Sequence, residues 1–423
     1  MMKRIYFDYA ASTPMDPRVE RAMRPYFLAK FGNAGSLHSF GQEAIAAVDA
    51  ARATVARLIG ADFHEVIFTG SATEANNLAL RGAVARWKEN EISKNPKSPI
   101  VKPRIIVSAI EHESVLETAH DLERDGVADV VYIPVNQEGF VDAIAVARAI
   151  AGSGDNNDAK RTVFVSIMYA NNEIGSVQPI ATIAEVIRVA RVRNGDGRYP
   201  LFHTDAVQAF QFLDCDVQKL SVDMMTLSAH KIYGPKGVGA LYVRNNNVAH
   251  NKSNAGPLTT LKPIVTGGGQ EFGARSGTEN VPLIVGFAKA AELATAARKG
   301  EAKRLTALMQ YLIKGIKKTS RKNEENGPRG GRVLSAQNAL PNILNMYFPD
   351  HSAEDLIVRL DLAGIAISSG SACRARAAQP SYVVRALGYP EARAKSSIRI
   401  SLGRNTTKSE IDHLIKAIGN LML

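Results

Sequence analysis

The lysine best placed for covalent chemistry in this sequence directly follows a strand-like apolar run. Lys231 comes after residues 222–227 and a Ser-Ala-His step, and a loop with Pro235 and three glycines follows it. Most lysines lie on solvated faces, so a lysine between a hydroxyl, an imidazole and glycines is unusual. Its amine could form a Schiff base with an aldehyde. Taken alone, an ordinary loop lysine is the simpler interpretation.

Three polar residues follow other strand-like runs of the chain. They are His112, Asn172 and Asp205. In a parallel sheet, ligands bind at the carboxyl ends of the strands, so these side chains should meet Lys231 at one edge. A carboxylate such as Asp205 can keep a pyridine nitrogen protonated, which makes the ring an electron sink. Singly, each residue has a structural alternative, with Asp205 as a helix cap and His112 on the surface.

A turn rich in small and hydroxyl residues offers a site for an anion. Residues 69–77 read TGSATEANN, and a helical pattern follows them. Free N–H groups at a helix N-terminus bind anions, so Thr73 together with Ser228 and His230 could hold a phosphate. The alternative is an ordinary helix cap by Ser71 or Thr73. A lysine, a carboxylate and a phosphate site on one edge of a sheet fit the cofactor pyridoxal 5′-phosphate.

Strand-like runs alternate with helical segments over the first two thirds of the chain. This order predicts an α/β fold with a mostly parallel central sheet that helices cover on both faces. The C-terminal third reads as two helices, residues 284–297 and 302–318, and then as mixed strands and helices. We therefore expect a large domain over residues 15–281 and a smaller α+β domain over residues 282–423, which residues 1–14 join. The predicted strands of the large domain are residues 66–68, 104–108, 130–135, 163–168, 201–204, 222–227 and 238–243.

The composition argues against several classes of protein. The chain has 423 residues, of which 45% are hydrophobic and 22% charged, as in ordinary globular proteins. No apolar run approaches the ~18 residues of a membrane span, and the N-terminus has no apolar signal region, so we expect a cytoplasmic protein with no membrane partner. The net charge of +11 is dispersed, which argues against direct nucleic-acid binding. Two cysteines are too few for a disulfide framework and show no metal-ligand spacing, so we expect no metal.

One of the two cysteines has a setting that favours a nucleophile. Cys373 stands in a Gly/Ser-rich loop, and Arg374 and Arg376 follow it. Nearby arginines favour the thiolate, which is the reactive form of cysteine. Cys215 has no such setting, and we expect it to be structural.

Several longer motifs carry a resemblance to a known family. The chain resembles a cysteine desulfurase of the nitrogen-fixation and iron–sulfur-assembly type, in the class V aminotransferase family of fold type I pyridoxal-phosphate enzymes. The resemblance runs from YFDYAASTPMDPRV to SSIRISLGR and thus covers almost the whole chain. The motifs are EHESVLET, MYANNEIG, HTDAVQ, SAHKIYGPKG, ARSGTEN and SSGSAC.

The resemblance implies a role for each matching residue around the cofactor ring. Lys231 would bear the cofactor, and His112 would stack on its ring and take part in proton transfer. Asp205 would be the partner of the pyridinium nitrogen. Gln208 would contact the ring hydroxyl, and Asn172 would lie close to that hydroxyl and to the substrate.

The resemblance also implies residues for the phosphate and for the substrate. Thr278 would reach the phosphate of the neighbouring subunit's cofactor, which implies a homodimer. Arg399 would bind the substrate carboxylate, a bidentate contact that suits a guanidinium. The implied phosphate-binding residues are Ala72, Thr73, Ser228 and His230.

The implied activity is a sulfur transfer that begins with L-cysteine. Cys373 would take the sulfur as a persulfide and leave L-alanine, so the protein would be a transferase. The segment after Cys373 resembles the branch of the family with an extended loop, which hands sulfur directly to partner proteins. The implied acceptors are an iron–sulfur scaffold or a thiolation protein. The alternatives are a selenocysteine lyase or another fold type I enzyme, and a catalytically silent scaffold or RNA-binding protein.

Overall fold

The structure is a computed structural model that describes residues 4–94, 96–97, 101–152, 159, 161–195, 197–245, 260–321, 331–336, 338–370 and 380–421. From the N-terminus the elements are β1 (Ile5–Tyr6), α1 (Pro17–Met23), α2 (Pro25–Leu28), α3 (Ser39–Ile59), β2 (Val66–Thr69), α4 (Ala72–Lys94), β3 (Arg104–Ser108), α5 (Glu113–Arg124), β4 (Asp129–Ile133), α6 (Ala143–Ala151), β5 (Thr162–Ser166), α7 (Ile180–Asn194) and β6 (Leu201–Asp205). The elements that follow are α8 (Val217–Leu220), β7 (Met224–Ser228), β8 (Gly239–Val243), α9 (Val281–Arg321), β9 (Arg332–Val333), β10 (Ile343–Tyr347), α10 (Ala353–Leu362), β11 (Ile365–Ala366), α11 (Tyr382–Ala386), α12 (Glu391–Lys395), β12 (Ser397–Ser401) and α13 (Lys408–Leu421).

The largest sheet has seven strands in the order β2-β8-β7-β6-β5-β3-β4. All neighbouring pairs from β7 to β4 are parallel, and β8 runs antiparallel to both β7 and β2. Strands buried on both faces are largely apolar, which explains apolar runs such as residues 105–107. Ile105 and Val107 of β3 pack with α4 and α5, whereas Ile106 between them packs in the core on the other face. The predicted α/β fold with a mostly parallel central sheet is confirmed.

A second, smaller sheet lies in the C-terminal part of the chain. Its three strands are antiparallel in the order β12-β10-β9. The N-terminal segment joins this region, because β1 pairs in parallel with β11 and Asp8 forms a parallel bridge with Ser401 of β12. The pairing of β1 with β11 places the first residues beside the C-terminal part of the chain. The division of the chain into domains at residue 281 itself stays a prediction.

Two helices differ from the sequence-based expectation. Helix α9 is continuous, whereas we expected two helices with a break near Gly300. A glycine inside a helix costs only about 1 kcal/mol, and α9 packs against α3 and α13 along its length, so tertiary contacts keep it whole. Helix α4 starts at Ala72, earlier than predicted, because Ser71 Oγ accepts the Glu74 N–H at 3.1 Å and caps it. In the part of the chain that the structure describes, no helix is both long and apolar enough to cross a membrane.

Candidate active site

Four adjacent parallel strands, β3, β5, β6 and β7, end at the same edge of the large sheet. Beyond their carboxyl ends lies a cavity of about 260 Å³. Its walls also include the N-terminal segment and β12, so both sheets contribute to it. The lining residues are Ala10, Ala11, Ser71, Ala72, Thr73, His112, Met168, Asn172, Asp205, Val207, Gln208, His230, Lys231 and Arg399.

The N-terminal segment holds Lys231 at the cavity. Lys231 lies in a short turn directly after β7. The Thr13 hydroxyl donates to the carbonyl of His230 at 2.9 Å and thereby fixes this turn. The Lys231 ammonium donates to the carbonyls of Ala10 and Ala11 at 2.6 and 2.8 Å. The amine therefore has a defined position at the cavity wall, and the residues that set it lie more than 200 positions earlier in the chain.

Asp205 has both of its carboxylate oxygens in hydrogen bonds. Oδ1 accepts the Val207 N–H at 3.0 Å, so the residue also caps the turn after β6. Oδ2 accepts from Asn76 Nδ2 at 2.9 Å, and Asn76 comes from the buried face of α4. The capping alternative therefore holds for Asp205, and the residue also lines the cavity. The sequence-based reasoning missed Asn76, which orients the carboxylate towards the cavity that it lines.

His112 caps helix α5 and faces the cavity with its other edge. Its Nδ1 accepts the Ser114 backbone N–H at 3.1 Å, which leaves the proton of the neutral ring on Nε2. The Ser114 hydroxyl lies 2.8 Å from the same Nδ1 and accepts from Asn76 Nδ2. Burial is the main cause that lowers the pKa of His112. The charge of Asp205 opposes this shift, and the charge of Lys231 adds to it. His112 can thus donate or transfer a proton at Nε2.

The first turn of α4 forms the anion-binding part of the cavity. The N–H groups of Ala72 and Thr73 have no acceptor within the helix, since the first turn of a helix leaves them free. Gly239 of β8 packs directly behind this turn, and a Cβ added to it would be 2.7 Å from the carbonyl carbon of Ser71. Only glycine fits there, so the close packing of β8 fixes the position of this turn. This is the arrangement that a phosphate needs.

His230 and Ser228 lie beside this turn at the end of β7. Ser228 Oγ and His230 Nδ1 are 2.9 Å apart. Burial and the nearby charge of Lys231 lower the pKa of His230 to about 4, so the ring is neutral near pH 7. His230 lines the cavity, whereas Ser228 does not line it and instead orients the ring of His230. A neutral histidine and a helix start can bind an anion through hydrogen bonds without a further buried charge.

Arg399 brings a guanidinium into the cavity from the middle of β12. Nη1 donates to the Asn172 carbonyl at 2.9 Å, and Nη2 donates to Asp8 Oδ1 at 2.7 Å. Arg399 is only 1% exposed. Its Nε and the amide oxygen of Asn172 are buried and have no partner among the described residues. A bound carboxylate could satisfy Nε, and a hydroxyl could satisfy the amide oxygen.

Of three further predicted residues, Gln208 belongs to this group, whereas Thr278 is not among the residues that line the cavity. Gln208 lines the cavity and donates through Nε2 to the Ala10 carbonyl at 2.9 Å. Thr278 is exposed and does not line the cavity, and Arg275 near it forms an ion pair with Glu74 of α4 at 2.7 Å. Cys373 lies outside the described residues. The structure therefore brings together all the predicted ring and carboxylate residues on one chain.

A buried polar layer beneath the cavity was not predicted. Glu111 is fully buried, and its carboxylate accepts from Ser108 Oγ at 2.7 Å and from the Met168 N–H at 2.6 Å. Ser166 Oγ lies 3.2 Å from the same carboxylate and 2.9 Å from Nδ1 of His203. Burial raises the pKa of Glu111 to about 7 and lowers that of His203 to about 4. The only sequence signal was the pair of glutamates that flank His112.

The residues of the cavity fit pyridoxal phosphate. Lys231 offers an amine for the aldehyde, Asp205 a carboxylate for the ring nitrogen, and the α4 turn free N–H groups for the phosphate. Two buried polar atoms, Asn172 Oδ1 and Arg399 Nε, still need a partner that a ligand could supply. No group of side chains in the described ranges could hold a metal ion.

Comparisons with known proteins point to one family. A model of the aminotransferase class-V family matches residues 5–414. Cysteine desulfurase IscS of Dictyoglomus turgidum is 38% identical over 100% of this chain and 95% of its own length. The mitosomal cysteine desulfurase of Trachipleistophora hominis is 43% identical over 98% of this chain and 85% of its own length.

Solved structures give the same result. A NifS-like protein superposes with a TM-score of 0.81 at 33% identity and 99% coverage of both chains. SspA in complex with cysteine superposes with a TM-score of 0.71 at 34% identity, over 94% of this chain and 98% of that one. The match spans the whole chain, both sheets and the cavity between them. This chain therefore belongs to the class-V aminotransferase family, within its NifS- and IscS-type cysteine desulfurases, whose cofactor is pyridoxal phosphate.

Proposed function

We propose that this protein is a cysteine desulfurase that converts L-cysteine to L-alanine and transfers the sulfur to Cys373 as a persulfide. One observation supports the reaction class most directly. Lys231, Asp205 and His112 lie at or just beyond the carboxyl ends of three parallel strands, at a cavity into which β12 also brings Arg399. The relatives named above are cysteine desulfurases, and a similar structure carries cysteine.

The cofactor would be held by groups that the chain already orients. Pyridoxal phosphate, when bound, supplies an electron sink for charge that develops on the substrate. Lys231 is the amine for its attachment, and Asp205 keeps the ring nitrogen protonated. Ala72 and Thr73, with His230 beside them, bind the phosphate through N–H groups. Because Asn76 orients Asp205, the carboxylate does not need to rearrange when the cofactor binds.

The substrate would be placed by Arg399 and Asn172. The free Nε of Arg399 can join an Nη nitrogen in a bidentate contact to the substrate carboxylate. The Asn172 amide oxygen lies in the same wall of the cavity. His112 can hold or move a proton at Nε2, the nitrogen that its cap hydrogen bond leaves protonated. These groups orient cysteine by its carboxylate and leave its thiol free to face a second nucleophile.

We propose that Cys373 is the second nucleophile, which takes the sulfur. Its thiolate attacks the sulfur of the bound cysteine, so a sulfur–sulfur bond forms and the carbon–sulfur bond of the substrate breaks. The electron pair of the broken bond stays with the substrate carbon, which takes up a proton and becomes the methyl group of alanine. The sulfur then remains on Cys373 until a partner or an added thiol removes it. We infer that this partner is an iron–sulfur scaffold or a thiolation protein.

We also propose that the enzyme is a homodimer in the cytoplasm. Thr278 is exposed in the single chain and does not line the cavity, as expected for a residue that reaches a neighbouring subunit. One stretch of the surface is rich in exposed apolar side chains, which mark interaction surfaces. These side chains are Phe27, Leu28, Phe31, Leu37 and Phe40. We call them the apolar stretch and propose that a second copy of this chain covers them.

Three variants of the loaded enzyme test the reaction. We expect Lys231→Ala to lose the visible absorbance of the lysine-bound cofactor. Cys373→Ala should keep that absorbance but lose sulfide release from L-cysteine in the presence of a thiol reductant. Cys215→Ala is the control and should keep both, because Cys215 is buried and burial raises its pKa to about 12. Full sulfide release by Cys373→Ala would refute the persulfide mechanism, and selenide release by that variant would favour a selenocysteine lyase.

A further inference from the structure

A buried carboxylate beside the cavity lies against both ends of the segment that carries Cys373. Glu173 directly follows Asn172 and is fully buried. At the C-terminal end of the segment, the Ser381 hydroxyl donates to Glu173 Oε2 at 2.5 Å. At the N-terminal end, a Cβ added to Gly370 would be 2.8 Å from the same oxygen. One carboxylate oxygen therefore packs against both ends.

Gly370 suits this close approach in two ways. It has no side chain, so its backbone can lie against the carboxylate without a clash. Its φ of +135° is a conformation that other residues adopt only with strain. Ser368, two residues earlier, is paired with Arg399 through two backbone hydrogen bonds of 3.2 and 2.6 Å. The N-terminal end is thus tied to the strand that carries the substrate-binding arginine.

Glu173 is itself held by both sheets. Its backbone N–H donates to Asn171 Oδ1 at 2.8 Å, just beyond the end of β5 in the large sheet. Its carbonyl accepts from Asn345 Nδ2 at 3.3 Å, and Asn345 is the middle residue of β10 in the small sheet. Asn345 is fully buried as well. Hydrogen bonds of its backbone therefore hold Glu173 near the end of β5 of the large sheet and against β10 of the small sheet.

The helix that follows the segment has a second attachment near the cavity. Tyr382, the first residue of α11, donates its hydroxyl to the Glu111 carbonyl at 2.5 Å. Glu111 precedes His112 in the turn after β3. The start of α11 is thus hydrogen-bonded to the direct neighbours of two residues that line the cavity.

We propose that Glu173 and Ser381 are positioning residues that set the two ends of the Cys373 segment relative to the cavity. The inference rests on the proposed role of Cys373 as the nucleophile. A reaction between two sulfur atoms needs defined geometry, and a displacement of about 1 Å can cost on the order of 100-fold in rate. Fixed ends limit the places that the thiolate can reach, and thereby raise the fraction of productive encounters. Neither Glu173 nor Ser381 is among the residues that line the cavity.

The experiment compares two serine caps of the small sheet's helices. Ser381 Oγ accepts the Val384 N–H at 3.1 Å, and Ser352 Oγ accepts the Asp355 N–H at 3.0 Å at the start of α10. Ser381→Ala and Ser352→Ala therefore remove the same kind of cap, but only the first removes the hydrogen bond to Glu173. We expect Ser381→Ala to lower kcat for sulfide release by about tenfold. KM for L-cysteine and the cofactor absorbance should not change, and Ser352→Ala should match the wild type.

A second measurement does not depend on turnover. Iodoacetamide alkylation of the resting holoenzyme, followed by intact-protein mass, reports Cys373, because buried Cys215 does not react. Alkylation should be faster in Ser381→Ala than in Ser352→Ala, because one end of the segment has lost its attachment. Ser381→Thr keeps the hydroxyl and should restore both the wild-type kcat and the wild-type alkylation rate.

The outcomes separate this inference from the proposed function. Equal kcat values in Ser381→Ala and Ser352→Ala would overturn the positioning role while Cys373→Ala remained inactive. A higher KM or a lost cofactor absorbance in Ser381→Ala would also overturn it, since the defect would then lie in the cavity itself. An active Cys373→Ala variant would instead overturn the proposed function.

Discussion

At the scale of single residues, Arg399 is the group that the cavity holds ready for a carboxylate. Its two terminal nitrogens are fixed by Asp8 and by the Asn172 carbonyl, and its Nε is buried without a partner in the described chain. His112 and His230 both have lowered pKa values, so they add no positive charge near pH 7. Arg399 and Lys231 are therefore the cations that anionic ligands meet in the cavity.

Substitution of this arginine by lysine should weaken substrate binding selectively. Arg399→Lys keeps the positive charge but removes Nε and the fork that binds a carboxylate at two points. We expect KM for L-cysteine to rise by ~10- to 100-fold, about 1.4 to 3 kcal/mol, with the cofactor absorbance unchanged. Steady-state kinetics on the loaded enzyme measures this. Arg359→Lys, an exposed arginine of α10, is the control and should behave like the wild type.

At the scale of elements, Glu111 connects the ends of two neighbouring strands. It accepts from Ser108 at the end of β3 and from Ser166 and Met168 at and beyond the end of β5. Through Ser166 the layer reaches His203 of β6, whose Nε2 lies 3.0 Å from Thr226 Oγ1 of β7. Four strand ends that carry cavity residues are thus linked by one buried layer. The hydrogen bonds of this layer therefore help to determine where the cavity residues lie relative to one another.

The raised pKa of Glu111 predicts a pH dependence of stability. Burial raises it from 4.5 to about 7, so between these values the native protein keeps a proton that the unfolded chain has released. The contribution of Glu111 to the free energy of unfolding is therefore full below pH 4.5 and is lost as the pH rises through 7. Glu111→Gln, of the same shape, lacks this loss. From pH 5 to pH 8.5 the wild type should lose about 2.5 kcal/mol relative to the variant.

Urea unfolding of both proteins at the two pH values gives this difference directly. All other titrating groups are common to the two proteins and cancel in the comparison. A free-energy difference between wild type and Glu111→Gln that stays constant across the range would show that Glu111 keeps an ordinary pKa when folded.

At the scale of the whole molecule, the proposed homodimer would cover the apolar stretch of residues 27–40. Leu37 is 93% exposed in the single chain, which is costly for a leucine that no partner covers. Thr278 is exposed as well, and the ion pair of Arg275 with Glu74 holds its segment next to the phosphate-binding turn. An interface over these parts would bring two cavities close to the surface of contact.

A charge in the apolar stretch should therefore separate the subunits. We expect light scattering after gel filtration to give twice the chain mass for the wild type. Leu37→Asp should shift the population towards the single chain, because it buries an unpaired carboxylate in the interface. Leu362→Asp is the control, because Leu362 is 75% exposed on α10 and lies outside the stretch, so this variant should stay dimeric. A wild type with the mass of one chain would contradict the proposed dimer.

Much of the architecture was predictable because it depends on local patterns. The strand predicted at residues 104–108 is confirmed with the same bounds, because its apolar centre suits a strand that is buried on both faces. The prediction of two separate helices in place of α9 was wrong, because a glycine within a helix is tolerated when both ends of the helix pack against other elements. Asn76, Thr13 and Glu173 were missed, since hydrogen bonds between residues far apart in the chain leave no local signal.

The amino-acid sequence by itself determined the kinds of group available: an amine at Lys231, a carboxylate at Asp205, a guanidinium at Arg399 and a thiol at Cys373. Their types and motifs were sufficient for the fold class, the family and the cofactor. Only the tertiary structure decided that Asp8 pairs with Arg399 and that the Ala10 carbonyl meets the Lys231 ammonium. The reason is physical, because such contacts form only when strands from both ends of the chain pair and bring distant residues within hydrogen-bond distance.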